Sequence, residues 1–277
     1  MNLDGKNVIV TGANTGIGRV TALELGKRKA KVLLACRSEE RARPVLDEIA
    51  ASGGSAEFLP LDLADLASVR AAAAAFLRRD EPLSVLVNNA GLAGAHGLTR
   101  DGFEITFGTN HLGPYLFTRL LLPALERAGE ARVVNVASEG HYRARGFDWD
   151  DVRRPTRTTT GFPEYCVSKL ANVLFSAELA RRAGPGVHTY SLHPGAVASD
   201  VWREVPWGLR HFMKLFMLSN EQGARTTLYC ATSEDAAPQT GLYYEGCKEK
   251  RPSRLARDEA LARELWERSA QYVGLAA

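Results

Sequence analysis

Tyr165 and Lys169 lie four residues apart in the stretch YCVSK, near the start of an apolar-periodic segment. At helical pitch that spacing puts both side chains on one face. A free phenol has a pKa of about 10 and moves protons poorly at neutral pH. A nearby ammonium stabilises the phenolate and lowers that value, which makes a usable general acid or base. Most Tyr-x-x-x-Lys pairs only decorate a helix, so the pair needs support from elsewhere. Ser138 offers it, because it ends the apolar run RVVNVAS. That is the carboxyl end of an expected strand, where open α/β sheets bind their ligands.

A second group suits phosphate binding. The stretch TGANTGIG, residues 11–18, follows one expected strand and opens a helix. Gly12 allows the sharp turn, while Gly16 and Gly18 let backbone approach a pyrophosphate and let the helix pack on the strand. Asn14, Thr15 and Ile17 complete the loop. The helix N-terminus then offers unpaired N–H groups and a positive dipole to the phosphates. The end of the second expected strand reads Ala35-Cys36-Arg37-Ser38, with no carboxylate before Glu39. An acidic residue there would select NAD, whereas Arg37 can fork onto a 2′-phosphate and Ser38 can donate to it. The expected cofactor is therefore NADP(H); the plain alternative leaves Arg37 as a solvated loop residue.

These residues need elements to carry them. Near-continuous apolar runs predict strands at Asn7–Thr11, Lys31–Cys36, Ala56–Leu61, Ser84–Val87, Arg132–Val136 and Val187–Leu192, with a short one near Gly241–Tyr244. Helical periodicity predicts helices at Gly18–Lys29, Glu39–Ala51, Leu66–Arg78, Gly102–Arg127 and Pro163–Ala183, then a C-terminal helix from Arg257. This alternation specifies an α/β fold: one doubly wound, Rossmann-type parallel sheet of about seven strands flanked by helices, in a single domain over 1–277. A helical insertion near 200–218, rich in Trp, Phe, Met and Leu, interrupts the rhythm.

Composition narrows the function classes. The net charge is +3 with both signs interspersed, which argues against a nucleic-acid surface. Four widely spaced cysteines give neither a disulfide framework nor a zinc motif, so no metal is expected. The sequence has no apolar run of the ~20 residues a membrane span needs and no signal-peptide pattern at MNLDGKNVIV, so the expected location is cytoplasmic.

Taken in order, TGANTGIG, NNAG (88–91), Ser138, YCVSK and HPG (193–195) resemble the short-chain dehydrogenase/reductase family over about residues 6–200. ACRS, TNHLGP and YCVSKLANVLF are similar to its retinol dehydrogenase-like branch. The chain departs from membrane-bound members of that branch in having no apolar stretch before the first strand. The resemblance implies that Tyr165 is the proton donor in reduction or the base in oxidation, that Lys169 holds the nicotinamide ribose and depresses the tyrosine, and that Ser138 polarises the substrate oxygen. It further implies that Asp62 and Leu63 border the adenine and that Asn89, Ala90 and Gly91 line the adenosine side. Pro194, Gly195 and Val197 would then meet the nicotinamide. Asn110, in TNHLGPY, matches an asparagine whose main-chain carbonyl holds a water leading to the lysine. Pro114 has no N–H to give that carbonyl, and Gly113 adds backbone latitude beside it. Homodimers or homotetramers through helices 102–127 and 163–183 are also implied.

The long crossover Glu139–Phe162 and the insertion both leave from strand carboxyl ends, so both are expected to wall a lipophilic pocket. Trp202, Trp207, Phe212 and Phe216 are candidate wall residues, and His141 and His211 are within the same segments. Core packing, an oligomer contact and a peripheral membrane contact are the other readings of the insertion. The substrate class follows as a hydrophobic carbonyl or alcohol. Two alternatives stay open: the same chemistry on a small or polar ketone, and a non-catalytic NADPH-binding protein.

Overall fold

The computed structural model describes residues 1–195, 218–236 and 239–276. Eight strands form one sheet in the order β3-β2-β1-β4-β5-β6-β7-β8. They are β1 Asn7–Thr11, β2 Lys31–Cys36, β3 Ser55–Pro60, β4 Leu83–Asn88, β5 Ala131–Val136, β6 Val187–His193, β7 Leu242–Glu245 and β8 Lys248–Glu249. All neighbours are parallel except β7 and β8, which close the edge as an antiparallel pair. The central strands β1, β4 and β5 are buried along their whole length, as their unbroken apolar runs require. Strand order reverses between β1 and β4, which opens a crevice at their carboxyl ends.

One face of the sheet carries α1 (Gly16–Lys27), α2 (Glu39–Ala51) and α7 (Asn220–Thr232). The other carries α3 (Leu66–Leu77), α5 (Gly113–Glu126) and α6 (Phe162–Arg182). The C-terminal α8 (Glu259–Tyr272) lies over α5 and α6. Its Trp266 meets Tyr115 edge-on at 5.2 Å and Phe175 at 6.0 Å, and Arg119 and Arg182 cover the indole. With the sheet on one side and α8 on another, α6 is buried or half-buried from Tyr165 to Ala180. Among the described residues no helix is long and apolar enough to cross a membrane.

The helix expected over Gly102–Arg127 runs unbroken from 105 to 126 but is not α-helical throughout. A single turn at Ile105–Phe107 (α4) leads into a π-helical stretch at Gly108–Leu112, and only then does α5 begin. The Gly113 N–H bonds to the Gly108 carbonyl, five residues back, so one extra residue is accommodated without breaking the chain. Pro114 is the second residue of α5 and has no N–H to give to a carbonyl of the π-helical turn before it. Gly113 has helical φ and ψ of −59° and −55°, so backbone latitude is not its use. A Cβ there would lie 2.5 Å from the Leu63 carbonyl oxygen; the glycine allows close approach.

The crossover 139–162 is also more ordered than a plain loop. It contains short 3₁₀ turns at Glu139–Tyr142 and Asp151–Arg153 and is tied down by two carboxylates. Buried Glu104 accepts from Thr156 Oγ1 at 2.5 Å, and Glu164 accepts from the Thr158 hydroxyl and N–H. Burial raises the Glu104 pKa above the ordinary carboxylate range.

Candidate active site

A cleft of about 520 Å³ runs along the carboxyl ends of β1, β2, β4, β5 and β6. At one end the turn after β1 is fixed by Thr11, whose hydroxyl accepts from the N–H groups of Asn89 and Ala90 and donates to the Val87 carbonyl. The Asn89 amide returns a bond to the Thr11 carbonyl at 2.9 Å. Two chain turns are thereby locked together, and no side chain fits between them. A Cβ on Gly18 would lie 2.4 Å from both Asn89 Nδ2 and the Gly12 carbonyl oxygen. Gly12 has φ +66°, which a side chain would strain. The α1 N-terminus opens onto this cradle without an acidic residue in its first turn. The cradle has the glycine geometry and dipole that a dinucleotide pyrophosphate requires.

Asn14, Thr15, Gly16, Ile17 and Gly18 line this end, as do Arg37 and Ser38. Ser38 caps α2 by accepting from the Arg41 N–H at 3.2 Å, which leaves its hydroxyl proton free to donate. Arg37 is exposed and makes no ion pair among the described residues. Arg41, four residues on, lines the same corner; the sequence reading missed it, although RSEER carries the signal. Asp62, Leu63, Asn89, Ala90 and Gly91 follow along the cleft, and Pro194 and Gly195 close it. Val197 and the insertion residues Trp202, Trp207, His211, Phe212 and Phe216 lie outside the described residues.

The far end holds the titratable group. Ser138, Tyr165 and Lys169 all face the cleft and are 8%, 6% and 4% exposed. Burial pushes the Tyr165 hydroxyl up to about 12, and a hydrogen bond with Ser138 pulls the other way. The lysine does not lower it as expected. Lys169 Nζ sits 5.6 Å from the centre of the tyrosine ring and donates to the Val136 carbonyl at 2.8 Å. Burial brings Lys169 itself down to about 8. Here desolvation outweighs charge–charge attraction, so the phenol holds its proton and the ammonium holds its own weakly.

Asn110 does not line the cleft but stands behind its wall. Its amide accepts from the Leu92 N–H and donates to the Leu92 carbonyl, both at 2.9 Å, and also donates to Ser168 Oγ at 3.0 Å. It thus clamps the segment after β4 onto α6. Ser168, next to Lys169, is a second positioning residue the sequence reading passed over. A Cβ on Gly91 would sit 3.2 Å from the Asn110 carbonyl oxygen of the side chain and 3.5 Å from Lys169 Nζ. Across the opening, Leu92, Ile105 and Phe162 alternate with Glu139 and Arg143, so the described part of this wall is mixed rather than apolar.

The sequence profile of the short chain dehydrogenase family matches residues 6–147. Human dehydrogenase/reductase SDR family member 13 is 43% identical over 286 residues, which cover 99% of this chain and 74% of that protein. Human retinol dehydrogenase 11 is 43% identical over 284 residues, covering 99% and 88%. A crystal structure of an uncharacterised protein from Mycobacterium paratuberculosis superposes with a TM-score of 0.79 at 34% identity, covering 99% and 97%. The chain belongs to the short-chain dehydrogenase/reductase family. Its relatives include retinol dehydrogenases along nearly the whole chain.

Proposed function

We propose that the protein is an NADP(H)-dependent oxidoreductase that moves a hydride between nicotinamide and the carbonyl or alcohol carbon of a hydrophobic substrate. The observation that carries this reading is the buried Ser138–Tyr165–Lys169 group at the end of a glycine-walled cleft. The bound dinucleotide supplies the hydride. Tyr165, which keeps its proton at neutral pH, donates it to the substrate oxygen in reduction. Ser138 hydrogen-bonds the same oxygen as charge develops. Lys169, with a pKa of about 8, holds a proton it can release near physiological pH. In this reading the Asn110 carbonyl holds a water that resupplies it, and Val197 meets the nicotinamide.

Arg37, Arg41 and the Ser38 hydroxyl support a 2′-phosphate at the ribose end. The retinol dehydrogenase relatives support a lipophilic substrate. Arg143 and Glu139 in the described wall favour a second reading, the same reaction on a polar ketone. As for assembly, we propose a homo-oligomer; α8 packs along α6 and covers part of the surface such a contact would use. The reading is tested by cofactor oxidation with retinal, long-chain aldehydes, aromatic ketones, steroids and small polar ketones, each with NADPH and NADH. Preference for NADPH and turnover of the apolar members is expected. Preference for NADH, or turnover of the polar members alone, contradicts it.

A further inference from the structure

His141 belongs to the 3₁₀ turn that follows Ser138, and its ring is fully buried. Nδ1 lies 2.7 Å from the Ser138 carbonyl oxygen, and Nε2 lies 3.1 Å from the Ser253 backbone nitrogen. A backbone N–H can only donate, so Nε2 is the bare nitrogen. Nδ1 then carries the hydrogen and donates to Ser138. Main-chain groups on both sides fix the tautomer and require a neutral ring. Tyr142 and Tyr243 pack against the ring at centroid distances of 4.0 and 4.7 Å, the second at a steep angle. Ser253 is itself held, since its hydroxyl accepts from the Ala256 N–H at the start of the Leu255–Arg257 turn. Ser138 is thus gripped at its carbonyl by His141 and at its Oγ by the Gly140 N–H.

We propose that His141 is a positioning residue for Ser138: its Nδ1–H holds the serine carbonyl and so aims the hydroxyl, while the Ser253 N–H on Nε2 keeps the hydrogen on Nδ1. The inference rests on the reading of Ser138 as the group that polarises the substrate oxygen. It makes the stretch after β8, far from the cleft in sequence, part of the catalytic framework. A ring that merely filled space would need neither nitrogen.

The test compares His141→Asn with His141→Gln in the full chain, on the carbonyl that the wild-type protein reduces best. The asparagine amide can replace Nδ1 as donor to Ser138; the longer glutamine amide reaches toward Ser253 and gives up that donor. Asn should keep kcat within about 3-fold, and Gln should lose about 10- to 100-fold, as a misaimed reacting group does. The NADPH Kd, read from cofactor fluorescence, should stay within about 3-fold for both, since neither variant touches the cradle. Equal losses in Asn and Gln, or a folded Gln variant with wild-type kcat, overturn the proposal. Should Gln fail to fold, Asn alone decides: full kcat supports the proposal and a loss beyond about 10-fold overturns it. Wild-type protein that reduces no carbonyl would instead overturn the functional reading, and the inference with it.

Discussion

The two ends of the cleft are built by opposite means. The cofactor end is mostly backbone: turns cross-linked by Thr11 and Asn89, a helix N-terminus, Gly18 with no room for a methyl group, and Gly12 at a positive φ. The other end is buried side chains, where burial moves Tyr165 to about 12 and Lys169 to about 8. The first end should fail by steric intrusion at any pH. The second should fail by loss of a proton with its shape intact.

Four experiments can break or sharpen that contrast. The largest effect is expected from Gly18→Ala. Its new Cβ would sit 2.4 Å from a backbone oxygen, which cannot swing away. NADPH binding by fluorescence titration should weaken about 100-fold, near the upper end of overpacking costs. Binding within about 3-fold of wild type would show that the cradle gives. Next, Arg37→Ala should raise the KM for NADPH about 10- to 100-fold and leave that for NADH unchanged, as loss of a charge-assisted bond to phosphate alone predicts. Equal effects on both cofactors would return Arg37 to the solvent.

At the other end the prediction concerns pH. Reduction consumes a proton, and Lys169 loses its own above about 8. The kcat/KM for reduction should therefore fall about tenfold per pH unit above that value. A flat profile to pH 10 would separate Lys169 from the proton path. The smallest effect is expected at the π-helical stretch. Pro114→Ala restores a donor four residues after Asn110 and should lower kcat by less than about tenfold, through a shift of the clamp on Leu92. Unchanged activity and pH profile would leave the proline a packing residue.

The same contrast decides what was legible in the sequence. Strands β1 and β2 and helix α2 begin and end where the apolar runs and the helical periodicity place them. The glycine loop announced itself because its spacing is local and each glycine is locally required. The doubly wound sheet was legible for the same reason, and its eighth strand is a two-residue edge too short to give a pattern. The π-helical stretch at Gly108–Leu112 was not legible. A one-residue π insertion leaves apolar periodicity almost untouched. Nor could the sequence reading find the lowered lysine or the roles of the histidines. His141 gains meaning from Ser253, and His111 from Ser269, whose Oγ lies 2.8 Å from its Nε2. Those contacts span more than a hundred residues, and no local spacing encodes them.

His111 also carries a consequence for stability. Fully buried, it is driven down to about 3, against an ordinary 6.5 in the unfolded chain. Its folded form binds fewer protons, so stability should be lost as pH falls from about 6.5 toward 3, by about 2 kcal/mol between pH 7 and pH 5. Urea denaturation of wild type and His111→Gln should diverge over that window. Parallel curves would show that the ring is hydrated.

The proposed chemistry depends on Tyr165 as the proton donor beside an intact cofactor cradle. Tyr165→Phe removes one oxygen and leaves the ring stacked on Phe162. Steady-state NADPH oxidation with the best carbonyl substrate, read together with NADPH binding on the same sample, tests both halves at once. The predicted result is a kcat lowered at least about 1000-fold with the NADPH Kd within about 3-fold of wild type. A Tyr165→Phe protein that still turns over at near the wild-type rate would contradict it.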